Sequence, residues 1–586
     1  MGNKSSSPPK AVEPPVALHV FKCLDGVPME YSIPEVPEKR KPTDRFFLIL
    51  FIVMYAALGV LTIYMMMYSD LKRTTNGYDN CGNVCGEKND PVDGINCTGK
   101  DYTNENILMY ERDSALVNLD NLDMEPSECV ENCEEFGYLR ILNRCFKISD
   151  FDDDKKEKAE LELVIDMQVI KDLQASLGHI VGMVFIALGI CFIILLLFKY
   201  FVSIMVKSIV ISTVILSVGL AIYMWCFKTE YSTTAKWFVL IYCIIICVGA
   251  ALSWRKINFV IRIFNETTKA VFDMPSLMLI PIWVFLIEII LIGLFIFLMI
   301  MYTTSGVLTH LYGPYYTYSL TSLMMFTIVY TLFMFLYSGA FLGGCQQVVV
   351  SGAISTWYFT REKDNILGSP VADSLRILTR YHLGSVAFGS LVISVMKFIR
   401  LAIKGMLKKK EFVCFRLMMN LCLDFVEEFI HYVSNQAYIM VAMHGQPFIE
   451  SGKRATKLLI ENALNTLGVN TAGDFVLWLA KFFVAVLTVI CGMILDDGNI
   501  MFYGVALVIG GILATLLAHS IFKNFEICVD TIFLAYCEDS FIHDGIEHPY
   551  YAPVEIMMVI DEAKGVLEEE KIFNSVKEEE LPPSFV

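Results

Sequence analysis

Glu288 is the only charged residue in the apolar run Pro281–Met301. A carboxylate inside a hydrocarbon-length segment is expensive, so it is a functional candidate by default. It can neutralise a permeating cation or carry a proton; the plainer alternative is pairing with a polar group on another helix. Trp283 lies in the same run, and Tyr330 and Tyr337 are seven residues apart, hence on one helical face. A quaternary ammonium has no N–H to donate, so its site must rely on aromatic faces and diffuse negative charge. Each of these aromatics reads equally as packing or as part of an interfacial belt. Gln346 and Gln347 are adjacent amides in an apolar stretch, and they need partners or water. Together these six residues form the candidate substrate-binding set.

A second constellation is ionic. Lys397, Arg400 and Lys404 recur at i, i+3 and i+7, and Asp424, Glu428 and His431 share a face further on, with Glu427 beside them. The basic face is expected to dock on the acidic one, because paired charges offset the desolvation each would otherwise suffer. The functional version is a gate that breaks and reforms these pairs. Enzyme signatures (G-x-S-x-G, H-E-x-x-H, a P-loop, G-x-G-x-x-G) do not occur in the sequence, so the reading is not an enzyme and calls for no cofactor or metal.

These residues must be positioned by membrane helices. Hydrophobic residues make up 55% of the 586, charged residues 18%, and mean hydropathy is +0.55. A soluble chain so apolar cannot cover itself with polar surface, whereas about 20 apolar residues span a bilayer as a helix. Apolar runs fall at 46–68, 178–198, 201–227, 237–254, 275–302, 319–359, 383–403, 417–443, 475–495 and 499–522. The expected fold is therefore all-α and polytopic, with about ten transmembrane helices. The run at 319–359 exceeds one crossing, so it either projects beyond the bilayer or breaks near Gly339, Gly343 and Gly344. Gly339 and Gly343 also have the spacing that allows close helix approach.

Lys39, Arg40, Lys41 and Arg45 crowd the first run, which places the N-terminal tail 1–45 in the cytosol. No cleavable signal peptide precedes that run, so 46–68 acts as a retained anchor. Residues 69–177 then lie outside. They hold 25 Asp+Glu against 12 Lys+Arg, a net of −13 out of the chain's −16. They also hold Cys81, Cys85, Cys97, Cys129, Cys133 and Cys145, six of 17 cysteines, expected as three disulfides whose connectivity the sequence leaves open. Two C-x3-C spacings make zinc the lesser alternative. Asn96 heads a glycosylation sequon there, while Asn3 and Asn265 head sequons on the cytosolic side. Residues 155–176 read as an acidic amphipathic helix.

A transmembrane domain at 178–522 and a cytosolic tail at 523–586, ending in acidic Glu568–Glu570 and Glu578–Glu580, complete the chain. Between 383 and 443 the reading is open. The basic connection Lys408, Lys409, Lys410 and Arg416 prefers the cytosol, which would make these runs re-entrant and the total eight. Both totals return the C-terminus to the cytosol. Gly2 with Ser6 matches a loose myristoylation pattern. No basic stripe for nucleic acid is present.

Several stretches resemble the choline transporter-like family. They are Arg40-Lys41-Pro42-Thr43-Asp44 before the first run, Gly77-Tyr78-Asp79-Asn80-Cys81-Gly82 opening the outer region, and Cys345-Gln346-Gln347 with Trp357-Tyr358-Phe359. His382-Leu383-Gly384-Ser385-Val386-Ala387-Phe388-Gly389-Ser390 is the most specific; Ala437-Tyr438-Ile439-Met440, Gly445, Glu538-Asp539 and Pro549-Tyr550-Tyr551 follow in order. The chain departs from the family's usual residues at Gln436, commonly Asn, and at Ile449, commonly Cys. The resemblance implies ten spans, both termini cytosolic in the plasma membrane, and transport of choline or a related small organic cation such as ethanolamine. Gradients and the membrane potential would drive it. The rivals are a non-transporting receptor or scaffold acting through the outer domain, and a membrane enzyme of lipid head-group metabolism.

Overall fold

A computed structural model describes residues 40–110 (93 and 96 excepted), 127–133, 138–141, 143–147, 175–226, 257–312, 315–361, 369–406, 413–461, 463–494, 503–543 and 550–552, with isolated positions between 237 and 248. The expected amphipathic helix at 155–176, Asn96, Gly2 and the acidic tail fall outside them or nearly so.

The long helices are α1 (Arg45–Met67), α3 (Leu177–Cys226), α4 (Ile257–Asp273), α5 (Ile280–Thr303) and α6 (Ser322–Tyr358). After the one-turn α2 (Leu71–Thr75) and the short α7 (Pro370–Ile377) come α8 (Leu383–Met406), α9 (Val413–His444), α10 (Phe448–Glu461), α11 (Ala463–Ile494) and α12 (Tyr503–Ile542). Seven helical segments among the described residues are long and apolar enough to cross a membrane. Of the other expected runs, 201–227 continues α3 beyond a break at Phe201 (φ −129°, ψ 20°). The run 417–443 lies in α9, whose charges lower its hydropathy, and 237–254 lies mostly outside the described residues.

α6 resolves the alternatives posed for 319–359. It is one helix of 37 residues, about 55 Å long, which projects past a bilayer core rather than breaking at its glycines. Gly339 and Gly343 do not mediate a close approach, since a Cβ at either would meet nothing within 4 Å. The contact is made one residue on, at Gly344, where a Cβ would lie 2.9 Å from Val386 and 3.1 Å from the Tyr438 ring. A register of 3.6 residues turns Gly344, not Gly343, toward α8 and α9.

The bundle has two poles. At one, the strands β1 (Ile107–Tyr110), β2 (Ser127–Val130), β3 (Tyr138–Ile141) and β4 (Arg144–Lys147) form a sheet in the order β2-β1-β4-β3, with β1 and β4 parallel. Three disulfides, Cys81–Cys97, Cys85–Cys129 and Cys133–Cys145, fix the connectivity left open above. Each is worth about 3–4 kcal/mol in chain entropy for loops of these lengths. Asp79, 3% exposed, organises the turn: Oδ1 accepts from Cys81 N at 2.9 Å and Asn83 N at 2.8 Å, and Oδ2 from Asn83 Nδ2 at 2.9 Å and Tyr102 Oη at 3.1 Å. Burial and the Asp79 charge raise the Tyr102 phenol well above its usual range, so it remains a donor.

A hairpin between α5 and α6, β5 (Val307–Tyr312) and β6 (Tyr315–Ser319), fastens this domain to the bundle. Tyr316 N donates to Asn80 O at 2.8 Å, Tyr318 Oη to Gly82 O at 2.7 Å, and Arg73 stacks 3.8 Å over the Tyr318 ring. Asp79→Ala is expected to cost about 2–4 kcal/mol, because it strands buried donors at Asn83 and Tyr102. Limited proteolysis of the intact protein should show faster cleavage within 69–147, with the helical core unaffected.

Candidate functional site

At the opposite pole the chain before α1 is locked into the bundle. Arg40, 6% exposed, donates from Nη2 to the Ala442 carbonyl at 2.7 Å and the Met443 carbonyl at 3.3 Å, the last turn of α9. A cation there complements the negative end of a helix. Asp44 does the converse, accepting from Phe448 N at 2.9 Å at the first residue of α10. Asp44 adopts φ 49°, a left-handed conformation that Asp tolerates, to turn the chain into α1.

Between these charges runs a hydrogen-bond chain of defined polarity. Arg40 can only donate, so His382 Nε2, 3.2 Å away, accepts and must be unprotonated. Nδ1 therefore carries the proton and donates to Thr43 Oγ1 at 3.1 Å. Thr43 then donates to Ser385 Oγ at 2.7 Å, and Ser385 to Asp44 Oδ2 at 2.6 Å. His382 ends a single π-helical turn, Leu378–His382, and such turns recur at functional sites. Gly384 permits the approach, since a Cβ would press on the Thr43 and Asp44 carbonyls.

The C-terminal end of α12 closes the same pole. Glu538 accepts a two-pronged ion pair from Arg454 of α10 and lies 3.3 Å from His444 Nε2 of α9. Asp539 accepts from Tyr551 N and Ala552 N at 2.8 Å each, from His543 Nδ1 at 2.8 Å and from Tyr358 Oη at 3.3 Å. α12 therefore runs on to Ile542, well past the apolar run expected to end at 522.

Just inside this closure lies a buried polar seam. Gln346 Nε2 donates to Asn524 Oδ1 at 3.3 Å, and Asn524 Nδ2 to the Leu277 carbonyl at 3.2 Å. One turn along α6, Ser351 meets Thr531 at 3.1 Å; next to Thr531, Asp530 Oδ2 accepts from Gln436 Nε2 of α9 at 3.3 Å. Gln347 Nε2 and Gln436 Oε1 are buried without a hydrogen-bond partner among the described residues. Gln436 Oε1 is thus left over beside the carboxylate that its own Nε2 reaches, and further along α12 Glu526 is linked to Lys523 at 2.7 Å and to Lys481 at 3.6 Å. Buried polar atoms left without a partner in an apolar bundle are costly, which marks this stretch as the candidate site.

The residues singled out from sequence are placed as follows. Gln346 and Gln347 belong to the seam. Tyr337 is fully buried and donates to the Ala387 carbonyl at 3.0 Å, and Tyr330 donates to the Met54 carbonyl at 2.9 Å. Trp283 is 65% exposed on the outer side of α5. Glu288 is half-buried on α5, with no hydrogen bond or ion pair among the described residues. The basic and acidic faces do meet: Arg400 contacts Asp424 at 2.5 Å and Glu427 at 2.6 Å, and Lys404 contacts Asp424 at 3.4 Å. Glu428 is exposed, and Glu427 takes the place expected of it. Lys397 lies within electrostatic reach of Glu427 and Lys523, which links this pair to the seam.

Sequence reading missed Asp530, Asn524, Gln436 as a site residue, and the Arg40–His382–Asp44 chain. Asn524, Asp530 and Thr531 stand amid Phe525, Ile527, Cys528, Val529 and Ile532, so apolar helical periodicity continuing past 522 was the available signal. Because a Cβ at Gly384 would press on the Thr43 and Asp44 carbonyls, Gly384→Ala is expected to destabilise by about 1–3 kcal/mol through overpacking. Arg40→Ala should act in the same direction. Thermal melting of the purified protein checks both, and unchanged melting would separate the pre-helix motif from α8.

The match to known proteins follows the same elements. The family model described as plasma-membrane choline transporter matches residues 237–540, which take in the hairpin, α6 and the whole seam. Choline transporter-like protein 1 of Torpedo marmorata is 24% identical, covering 90% of this chain and 94% of its own length. The mouse protein of the same name is 24% identical over 93% and 96%, and human choline transporter-like protein 3 is 25% identical over 89% and 91%. With more than half its length under that family model, the chain belongs to the plasma-membrane choline transporter family.

Proposed function

We propose that this chain carries choline, or a closely related hydroxylated cation, across the plasma membrane through the seam between α6, α9 and α12. The observation that carries the reading is Gln436, whose Nε2 donates to the Asp530 carboxylate while its Oε1, like Gln347 Nε2 on α6, is buried without a hydrogen-bond partner among the described residues. Asp530 balances the ammonium charge, while an amide meets the hydroxyl. The membrane potential supplies about 2.3 kcal/mol per charge per 100 mV, enough to drive uptake without a nucleotide.

In this reading the chain crosses about ten times, the disulfide domain at 69–177 is extracellular, glycosylated at Asn96, and 1–45 and the tail after α12 are cytosolic. The Arg40–Asp44 closure is then the inner gate, and the Arg400–Asp424–Glu427 and Lys404 pairs bind α8 to α9 above it. Glu288, Tyr330, Tyr337 and Trp283 line the route only if transport moves α5 and α6 relative to their present contacts. Asp530 and Gln436 carry more weight because they are already convergent.

Radiolabelled choline uptake into proteoliposomes, with and without an inside-negative potential, tests this. Saturable uptake that rises with the potential is expected, and Asp530→Asn should lower it by about tenfold, the scale of one charge-assisted contact. Gln436→Asn, which shortens the side chain by one methylene, should shift the ratio of choline to ethanolamine uptake with total folding unchanged. Uptake equal to empty liposomes, from folded protein, would sink the proposal and favour a receptor acting through the disulfide domain.

A further inference from the structure

Arg400 lies 17 residues into α8 and Glu427 lies 17 residues before the end of α9, so each is about 25 Å along its helix from the Arg40 pole. α6 fixes what lies in the other direction, because it starts at the hairpin that holds the disulfide domain. Ser394 Oγ of α8 donates to the Leu336 carbonyl at 3.4 Å, and the Phe398 ring meets Phe333 edge-on at 5.6 Å. Phe333 is 11 residues from the start of α6, about 16 Å. α8 therefore climbs toward the disulfide domain, and the Arg400 pairs sit on that side of the seam.

Between these pairs and the seam the bundle stays polar. On α9, Asp424, Glu427, His431 and Asn435 recur at helical spacing, and the stripe ends at Gln436. Asn435 Nδ2 is 3.3 Å from His431 Nδ1. His431 lies within electrostatic reach of Lys397, Lys523 and Glu526, and Lys397 within reach of Glu427 and Lys523. Polar side chains of α8, α9 and α12 thus run from Asp530 to Glu427. Asp424 to Gln436 covers 12 residues, about 18 Å. Ionisable groups at this depth are expensive and mark ion or substrate pathways. Side-chain exposure then grades outward along the stripe, from 15% at Glu427 to 41% at Asp424, so the polar run leaves the bundle at this cluster.

We infer that the cluster of Arg400, Lys404, Asp424 and Glu427 is the gate of the transport route on the side of the disulfide domain, which rests on the reading of the seam as the cation site. Arg400 holds Asp424 and Glu427 through a different nitrogen each, and Lys404 shares Asp424. Two cations and two carboxylates balance, so the closed cluster offers a passing cation no net attraction and sets a guanidinium in its way. Parting α8 from α9 withdraws both cations and leaves two carboxylates to receive the substrate. The Arg40 closure lies about 25 Å away on the same two helices, so the two ends of the route can open in turn.

The test is thiol accessibility of Asn435→Cys, two turns from Glu427 toward the seam. A membrane-impermeant trimethylammonium methanethiosulfonate is applied to oriented proteoliposomes on the disulfide-domain side, and mass spectrometry of the labelled peptide gives the rate. With Arg400 intact, labelling should be slow. Adding Arg400→Gln or Glu427→Gln should each raise the rate by about tenfold, whereas Arg400→Lys should leave it slow. Reagent on the Arg40 side should react at one rate in all four proteins. Should Arg400→Gln fold poorly, Glu427→Gln carries the test from the other side of the pair. Equal rates in the parent and both Gln variants, or acceleration from the Arg40 side alone, would overturn the gate. Labelling needs no choline: gated labelling without uptake sinks only the choline reading, and uptake with ungated labelling sinks only the gate.

Discussion

Arg40 and Asp44 are four residues apart and meet opposite ends of two successive helices. The guanidinium sits on the terminal carbonyls of α9, and the carboxylate on the first N–H of α10. Each charge meets the helix end of opposite sign, a term of about 0.3–1 kcal/mol at a surface and more when desolvated. Neither group can be removed alone without leaving the other's hydrogen-bond chain through His382, Thr43 and Ser385 incomplete. Since α1 begins at Arg45, this contact also fixes the position from which α1 starts. Phe47 stacks on Phe388 and Phe51 on Phe341, which carries that placement up into α8 and α6.

The seam follows from the same closure. Polar side chains in an apolar bundle are tolerated when each finds a partner, and most here do. Asn524 bridges α6 to the segment before α5, and Thr531 bridges α12 to α6, so the helices are registered by polar contacts rather than by apolar packing alone. The exceptions, Gln347 Nε2 on α6 and Gln436 Oε1 on α9, are buried without a partner among the described residues.

Much of this was legible in the sequence, and the parts that were not share a cause. The cysteine count of residues 69–177 announced three disulfides, but their pairing depends on a sheet whose β1 and β4 run parallel, a tertiary fact. Helix length at 319–359 was visible, but which of Gly343 and Gly344 meets a neighbour depends on rotation about the axis. The docking of the 397–404 and 424–428 faces was visible, yet Glu427 rather than Glu428 turns toward Arg400. Lys523 and Asn524 end the hydropathy signal of the last run, so a hydropathy criterion stops where the most informative polar residues begin. The motif at 40–44 reads as a positive flank, and nothing local shows that it reaches residues 382, 385, 442 and 448.

The closure and the seam are joined by one aromatic. Tyr438, 1% exposed, hydrogen-bonds the Val386 carbonyl and Ser390 at 3.2 Å each, rests against Gly344, and packs its ring 5.3 Å from Phe448. Gln436 is two residues before it on α9, and Phe448 is the residue capped by Asp44. A rotation of α9 that changes the Gln436–Asp530 contact must therefore move a ring wedged between α8 and the capped end of α10. Close-packed interiors respond to such displacement by switching between arrangements rather than by gradual deformation. On the proposed reading, a substrate that replaces Gln436 at Asp530 acts through that ring on the closure at the Arg40 pole. On that same reading, occupancy and opening are coupled through α9 without a separate lever.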